Sequence, residues 1–239
     1  MSALTVARTT VLRAARRPST WVIAGLSFVP AAFGALFGAR GHGALEAGGP
    51  LALRLVAPLM VAAMVAGPVG ESFESRTVVY WFTRPFRRAY VLFGEALGHT
   101  LLAGLALVLS GALLAVSNAL TGVADLASLG RIPLGLALEA VTLVSFSVAV
   151  GALVPKHPVV TALSVLTLTE GALPSAWDKL SYASISYHAS VISALPYAFT
   201  GGDSNVEAPP LWASVVVLAA WAVLPMIAAS VVVEERDTG

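Results

Sequence analysis

The chain has no cysteine in its 239 residues and only two lysines, Lys156 and Lys179. Without cysteine there is no disulfide framework, no thiolate nucleophile and no cysteine-ligated metal. The scarcity of lysine excludes a further chemistry. A phosphate-cradling ATPase loop needs Gly-x-x-x-x-Gly-Lys followed by Ser or Thr, so that backbone amides and the lysine surround the phosphates. Lys156 is followed by His157 and Lys179 by Leu180, so this chain does not hydrolyse ATP by that route. His42, His99, His157 and His188 are scattered, with no His-Glu-x-x-His pair, which speaks against a metal-dependent protease. Ser186, His188 and Asp178 make a Ser-His-Asp set only on paper, because serine is frequent here. The expectation is no enzyme, with no catalytic residue, cofactor or metal of its own.

Charge is the other scarcity. Asp, Glu, Lys and Arg make up 11% of residues against 57% apolar, and mean hydropathy is +0.84; soluble domains are about a quarter charged. This is the composition of an all-α integral membrane protein, read as a single membrane domain over residues 1–239. The net charge of +1 and the lack of a basic tract point away from nucleic acid.

A span needs roughly 20 mostly apolar residues to cross about 30 Å of hydrocarbon. Six windows qualify, at about 20–38, 51–70, 90–114, 132–154, 159–173 and 211–233, the fifth of them short. The first run is longer than a signal-peptide core and reads as a span. With a cytoplasmic amino terminus, the inner side holds Arg8, Arg13, Arg16, Arg17, Arg76, Arg84, Arg87, Arg88, Lys156 and Arg236. That is ten of the fourteen Lys and Arg residues; Arg40, Arg54, Arg131 and Lys179 fall outside. The bias predicts both termini in the cytoplasm of a multi-pass cell-membrane protein.

Local features refine this picture. Leu4, Ala7, Val11 and Ala14 share one helical side, with Arg13, Arg16 and Arg17 largely on another, which predicts a basic amphipathic helix at the inner interface or a plain orientation anchor. Pro30, Pro58, Pro68 and Pro225 predict kinks whose freed carbonyls are met by neighbouring helices or Ser and Thr side chains. Pro155-Lys156-His157-Pro158 predicts a tight turn. Between the fifth and sixth spans, Trp177, Tyr182, Tyr187, Tyr197 and Phe199 suit short helices in the outer leaflet.

Carboxylates inside spans are functional candidates by default. Glu139 and Glu170 form a possible intramembrane polar site. The alternatives are that Glu139 is protonated and bonded to a neighbouring Ser or Thr, and that Glu170 snorkels to the interface. Glu95 and His99, four apart, read as a local pair rather than a proton relay.

The densest charge lies in Glu71 to Glu95, where Glu71, Glu74, Arg76, Arg84, Arg87, Arg88 and Glu95 crowd between two apolar runs. Charge of this density belongs in water or headgroups. Pro85 favours a helix start and pushes Arg84 toward extended backbone, so the chain breaks between a short helix around Glu71 to Phe82 and the third span. Val79, Tyr80, Trp81 and Phe82 either press on a partner or anchor the loop in headgroups.

The whole ordering resembles the membrane subunit of type-2 ABC exporters. The loop carries the resemblance most specifically: Glu71, Glu74, Arg76 and Thr77, a short apolar run, Thr83-Arg84-Pro85, then Arg87 or Arg88, Tyr90 and Gly94. Two departures are the missing glycine before the Thr, and Glu95 where a lysine is common. The resemblance implies six transmembrane helices with both termini inside, an amphipathic interfacial helix, and short outer-leaflet helices between spans five and six. It also implies a cytoplasmic coupling helix between spans two and three, where Glu71, Glu74, Arg76, Thr83, Arg84, Pro85, Arg87, Arg88 and Tyr90 meet an ABC ATP-binding subunit. The implied assembly is a homodimer in the lipid bilayer, with ATP and Mg held in the partner ATPase. The competing classes are a proton- or ion-coupled transporter using Glu139 and Glu170, and a membrane enzyme or accessory factor.

Overall fold

Long apolar runs in lipid must satisfy their own backbone groups, which leaves helix as the economical solution. The computed structural model describes residues 2–38, 43–74, 89–120, 126–197 and 208–235, and every regular element among them is helical. In chain order they are α1 (Ala3–Ala15), α2 (Pro18–Gly38), α3 (Ala44–Glu74), α4 (Ala89–Leu120), α5 (Leu126–Leu153), α6 (Pro158–Ala172), α7 (Ile185–Ser193) and α8 (Leu211–Glu235). Five are long and apolar enough to cross a membrane: α2, α3, α4, α5 over Leu129–Leu153, and α8. The fifth expected span is α6, a shorter apolar helix prolonged by the turn Leu173–Ala176. The turn expected at Pro155–Pro158 lies between α5 and α6.

At the centre stands α5, packed against α4, α8, α7, α3 and α6. α2 and α8 lie mostly on the outside. On α4, Phe93, Leu97, Leu101, Leu105, Leu109 and Leu113 are exposed at four-residue steps. An apolar stripe of this kind is suited to lipid.

Three prolines leave the same mark, while Pro133 and Pro225 sit inside continuous α-helix. Three π-helical segments, Leu51–Val56, Ala62–Ala66 and Leu168–Ala172, each end two residues before a proline, namely Pro58, Pro68 and Pro174. Proline has no N–H, and its ring crowds the carbonyl four residues back; widening the preceding turn relieves that crowding. The Ala57 N–H accordingly reaches Ala52, and that of Leu173 reaches Leu168, five residues back in each case. At Pro30 the answer is different. α2 breaks at Ser27-Phe28 and restarts at Val29, with Ser27 Oγ donating to the Ala24 carbonyl at 2.7 Å.

Two expectations need correction. The helix that holds the second expected span starts at Ala44, ahead of the window at residue 51. Gly48-Gly49-Pro50 falls before that window, yet a Cβ on Gly48 would sit 2.6 Å from Leu114 Cδ1 and 2.8 Å from the Pro30 carbonyl, so tertiary packing supports helix there. In α1 the buried stripe is Val6, Ala7, Thr10 and Ala14, while Leu4 is 69% exposed. Packing on α4 rotates the helix away from the purely apolar choice.

Candidate functional site

The polar interior begins with α6. Pro174 has no N–H to give the carbonyl four residues back, that of Glu170, and Glu170 itself is buried. Its carboxylate accepts hydrogen bonds from Ser184 Oγ at 2.5 Å, the Ile185 N–H at 2.7 Å and the Ser186 N–H at 3.0 Å. These amides open α7, so the carboxylate sits on orphan donors at the positive end of a helix. Ser184 is the N-cap and accepts from the Tyr187 N–H at 3.0 Å. At the far end Arg131 Nε donates to the Ile192 carbonyl at 3.2 Å and Nη2 to that of Val191 at 3.3 Å, and Ala194 ends the helix at φ 57°. α7 is therefore clamped by an anion at its amino end and a cation at its carboxyl end. It sits close on α5, where a Cβ on Gly135 would lie 2.5 Å from Ser193 Cβ.

Ser186 links this clamp to α3 and α5. Its Oγ lies 2.9 Å from the Leu53 carbonyl and 3.1 Å from Glu139 Oε1. The Leu53 carbonyl is open because the Ala57 N–H has gone to Ala52 and Pro58 has no N–H. Glu139 is fully buried, and its Oε2 has no hydrogen-bond partner among the described residues. One hydroxyl proton faces two acceptors, so both contacts are hydrogen bonds together only when the Glu139 carboxyl carries a proton.

Arg54 and Tyr197 close the cluster. Arg54 Nη2 donates to the Glu170 carbonyl at 2.9 Å, and its guanidinium carbon stands 4.7 Å from the Tyr197 ring centroid. The Tyr197 hydroxyl lies 3.2 Å from Ser184 Oγ. On α7, outside the spanning helices, His188 has Nε2 2.9 Å from the Tyr182 carbonyl and Nδ1 3.1 Å from Ser214 Oγ. Nε2 thus carries the proton and Nδ1 accepts from Ser214, while burial holds the imidazole below its ordinary range. Ser186 and His188 serve different partners and form no catalytic pair.

A second cluster joins α1 to α4 and α3. Arg13 Nη2 donates to Glu95 Oε1 at 2.6 Å, and His99 Nε2 lies 3.5 Å from Glu95 Oε2. Arg17 pairs with Glu71 at 3.4 Å. α4 presents two glycines to α1 at this contact: a Cβ on Gly94 would fall 2.4 Å from Val6 Cβ, and one on Gly98 2.8 Å from the Ala7 carbonyl. The expected Glu95–His99 pair is present, and a cation from α1 joins it.

Of the residues expected to meet an ATPase, Glu71 and Glu74 are exposed on the last turns of α3, and Tyr90 is exposed at the start of α4. Arg76, Thr83, Arg84, Pro85, Arg87 and Arg88 lie outside the described residues. So do Arg40, Phe199 and Arg236. Glu139 and Glu170, expected as a polar site, are brought together through Ser186. Glu170 does not snorkel; it is 3% exposed. The sequence reading missed Arg54, Ser184, Ser186 and Tyr197 as members of the cluster. A lone arginine inside an apolar run, followed four residues later by proline, was the available signal. Among the described residues no group of three or more His, Asp or Glu side chains could hold a metal ion.

No protein-family model matches this chain, and no curated protein matches it.

Proposed function

We propose that the chain is the membrane subunit of a type-2 ABC exporter. It crosses the cell membrane six times with both termini in the cytoplasm, works as a homodimer, and is driven by a separate ATP-binding subunit docking on the segment from Glu71 to Tyr90. The observation that carries this reading is the seat of α1. Arg13 ties α1 to α4, and Arg17, at the junction of α1 and α2, pairs with Glu71 near the end of α3; α3 and α4 are the two helices that flank residues 75–88. A push on that segment reaches all three helices at once. Gly94 and Gly98 leave no slack between α1 and α4.

Other features support the same reading. The sequence has no phosphate-cradling loop, so the energy comes from another polypeptide. Positive charge gathers on one side of the proposed topology. In this reading the shorter apolar helix α6 serves as the sixth crossing beside the five long helices, and the buried α7 packs on α5. The ion-coupled alternative draws on Glu139 and Glu170, but three donors engage the Glu170 carboxylate, which favours an anchoring role.

The test is uncoupling. Replacing Arg84 and Pro85 together, in the chain co-expressed with its ATPase, leaves the spans folded and ATP turnover intact while transport stops. Transport at the unaltered rate would overturn the assignment of that loop.

A further inference from the structure

The outer face of α1 interleaves leucine with arginine. Val6, Ala7, Thr10 and Ala14 are buried on one side of the helix. Leu4, Arg8, Leu12 and the C-cap Arg16 follow one another at four-residue steps on the opposite side, and all four are exposed. The other two arginines of this stretch are engaged, Arg13 by Glu95 and Arg17 by Glu71. Among the described residues neither Arg8 nor Arg16 has an ion-pair or hydrogen-bond partner. The surrounding sequence offers none either, because no Asp or Glu precedes Glu46.

The position of α1 says what this face meets. α1 packs on Gly94 and Gly98 of α4, and Arg17 just beyond it reaches Glu71 near the end of α3. These are the ends of two membrane-length helices, on either side of the charged segment 75–88. α1 therefore lies at headgroup level, where guanidinium groups meet phosphates while leucines reach the acyl chains. The face continues toward the lipid. Trp21 Nε1 donates to the Ala15 carbonyl at 2.8 Å, so an indole that is 60% exposed stands beside the carboxyl end of α1. Tryptophan is enriched at the membrane–water boundary. From there α2 exposes Val22 and Leu26, on a helix that lies mostly outside the bundle.

We propose that this face of α1 binds anionic phospholipids of the bilayer, one phosphate on Arg8 and another on Arg16, with Leu4 and Leu12 in the acyl layer beneath them. The two arginines stand about 12 Å apart along the axis at 1.5 Å per residue, so each takes its own headgroup. A face whose only charges are cations selects anionic lipid over zwitterionic lipid, which brings a cation of its own. Leucines between the arginines suit a bilayer better than the polar surface of an acidic protein. Of the arginines expected on the polar side of α1, Arg13 and Arg17 are turned to carboxylates, and Arg8 joins Arg16 in their place. The proposal requires the chain to span a bilayer and does not depend on an ATPase.

Because the chain has no cysteine, Leu12→Cys carries a single fluorophore midway between the two arginines. The whole labelled chain is placed in phosphatidylcholine nanodiscs containing either spin-labelled phosphatidylglycerol or phosphatidylcholine with the same shallow acyl label, and quenching is measured. Half-quenching is expected at a mole fraction of phosphatidylglycerol about fivefold or more below that of phosphatidylcholine, the effect of one arginine near an anionic surface. Arg8→Gln with Arg16→Gln should bring the two lipids to equality. Molar salt, which cuts the Debye length to about 3 Å, should do the same without touching either arginine, so the test survives a variant that fails to fold. The same fluorophore on Val223→Cys, at an exposed position of α8, should show no preference. Equal quenching by the two lipids with both arginines in place would overturn the proposal. So would a preference that outlasts the double substitution or molar salt, or one matched at Val223→Cys. A Leu12→Cys label that neither lipid quenches would give this face to water or to a protein and overturn it as well. Loss of the preference in millimolar inorganic phosphate at constant ionic strength would give the arginines to a free anion instead of a lipid.

Discussion

The Glu170 carboxylate accepts the Ile185 backbone N–H at 2.7 Å, across fifteen residues and between two different helices. One side chain thereby holds the amino end of α7 against α6, and Arg131 holds the other end. Glu170→Ala leaves Ser184 Oγ and two helix-opening amides buried without their acceptor, at about 1 to 3 kcal/mol for each unsatisfied group. The expected loss is several kcal/mol of stability, read as a large fall in melting temperature in detergent. Glu170→Gln keeps an acceptor oxygen and should lose less.

Close approach of α1 and α4 makes a second prediction, with an internal control. Gly94→Ala places a methyl against Val6, where backbone or side chain must shift, at a cost of about 1 to 3 kcal/mol. Gly104→Ala on the same helix comes no nearer than 3.9 Å to its neighbour Thr100 and gains about 1 kcal/mol of helix propensity. Thermal unfolding should separate the two in opposite directions. Limited trypsin digestion at Arg8, Arg13 and Arg16 should quicken only in Gly94→Ala.

Glu139 distinguishes the exporter from ion-coupled transport. Glu139→Gln offers an amide N–H to Ser186 Oγ in place of the carboxyl proton, leaving the hydroxyl free to donate to the Leu53 carbonyl, so stability should stay within about 1 kcal/mol. Under the exporter reading, transport with the ATPase also persists. Loss of a pH-driven flux in this variant would favour the ion-coupled class instead.

His188 predicts a pH dependence. Its imidazole is held below the ordinary range by burial, so the neutral form is the one the fold accommodates. Its contribution is present above the unfolded value of about 6.5 and is lost as pH falls through the lower folded value. Melting temperature should drop between pH 7.5 and pH 5.5, and the drop should shrink in His188→Gln. An equal drop in that variant would assign the effect to other groups.

The helical architecture was legible because lipid leaves little choice: six apolar windows in the sequence correspond to α2, α3, α4, α5, α6 and α8 within several residues. The spanning prolines could be read as points of freed carbonyls, and Ser186 on the Leu53 carbonyl is such a case. The widened turns before Pro58, Pro68 and Pro174 were not legible, because periodicity does not register one extra residue in a turn. Glu139 and Glu170 were visible as costly charges, but their link was not. It depends on α7 and its N-cap: Ser184, Ser186, His188, Ser190 and Ser193 are all buried, whereas the aromatics of this segment read only as short helices in the outer leaflet. Burial of that helix follows from capping by Glu170 and Arg131, residues distant in the chain. The seat of α1 was half legible: its arginines were clear, while the Gly94 and Gly98 contacts required the partner helix to be known.

The segment after α3 is the point where the proposed energy source must act. Because the natural chain has no cysteine, Arg84→Cys creates a unique attachment point for a bifunctional thiol crosslinker in native membranes. The account predicts capture of a separate polypeptide that binds ATP and carries the phosphate-cradling loop absent here. Labelling of that cysteine by an impermeant reagent from outside intact cells, with no ATP-binding polypeptide captured, would contradict it.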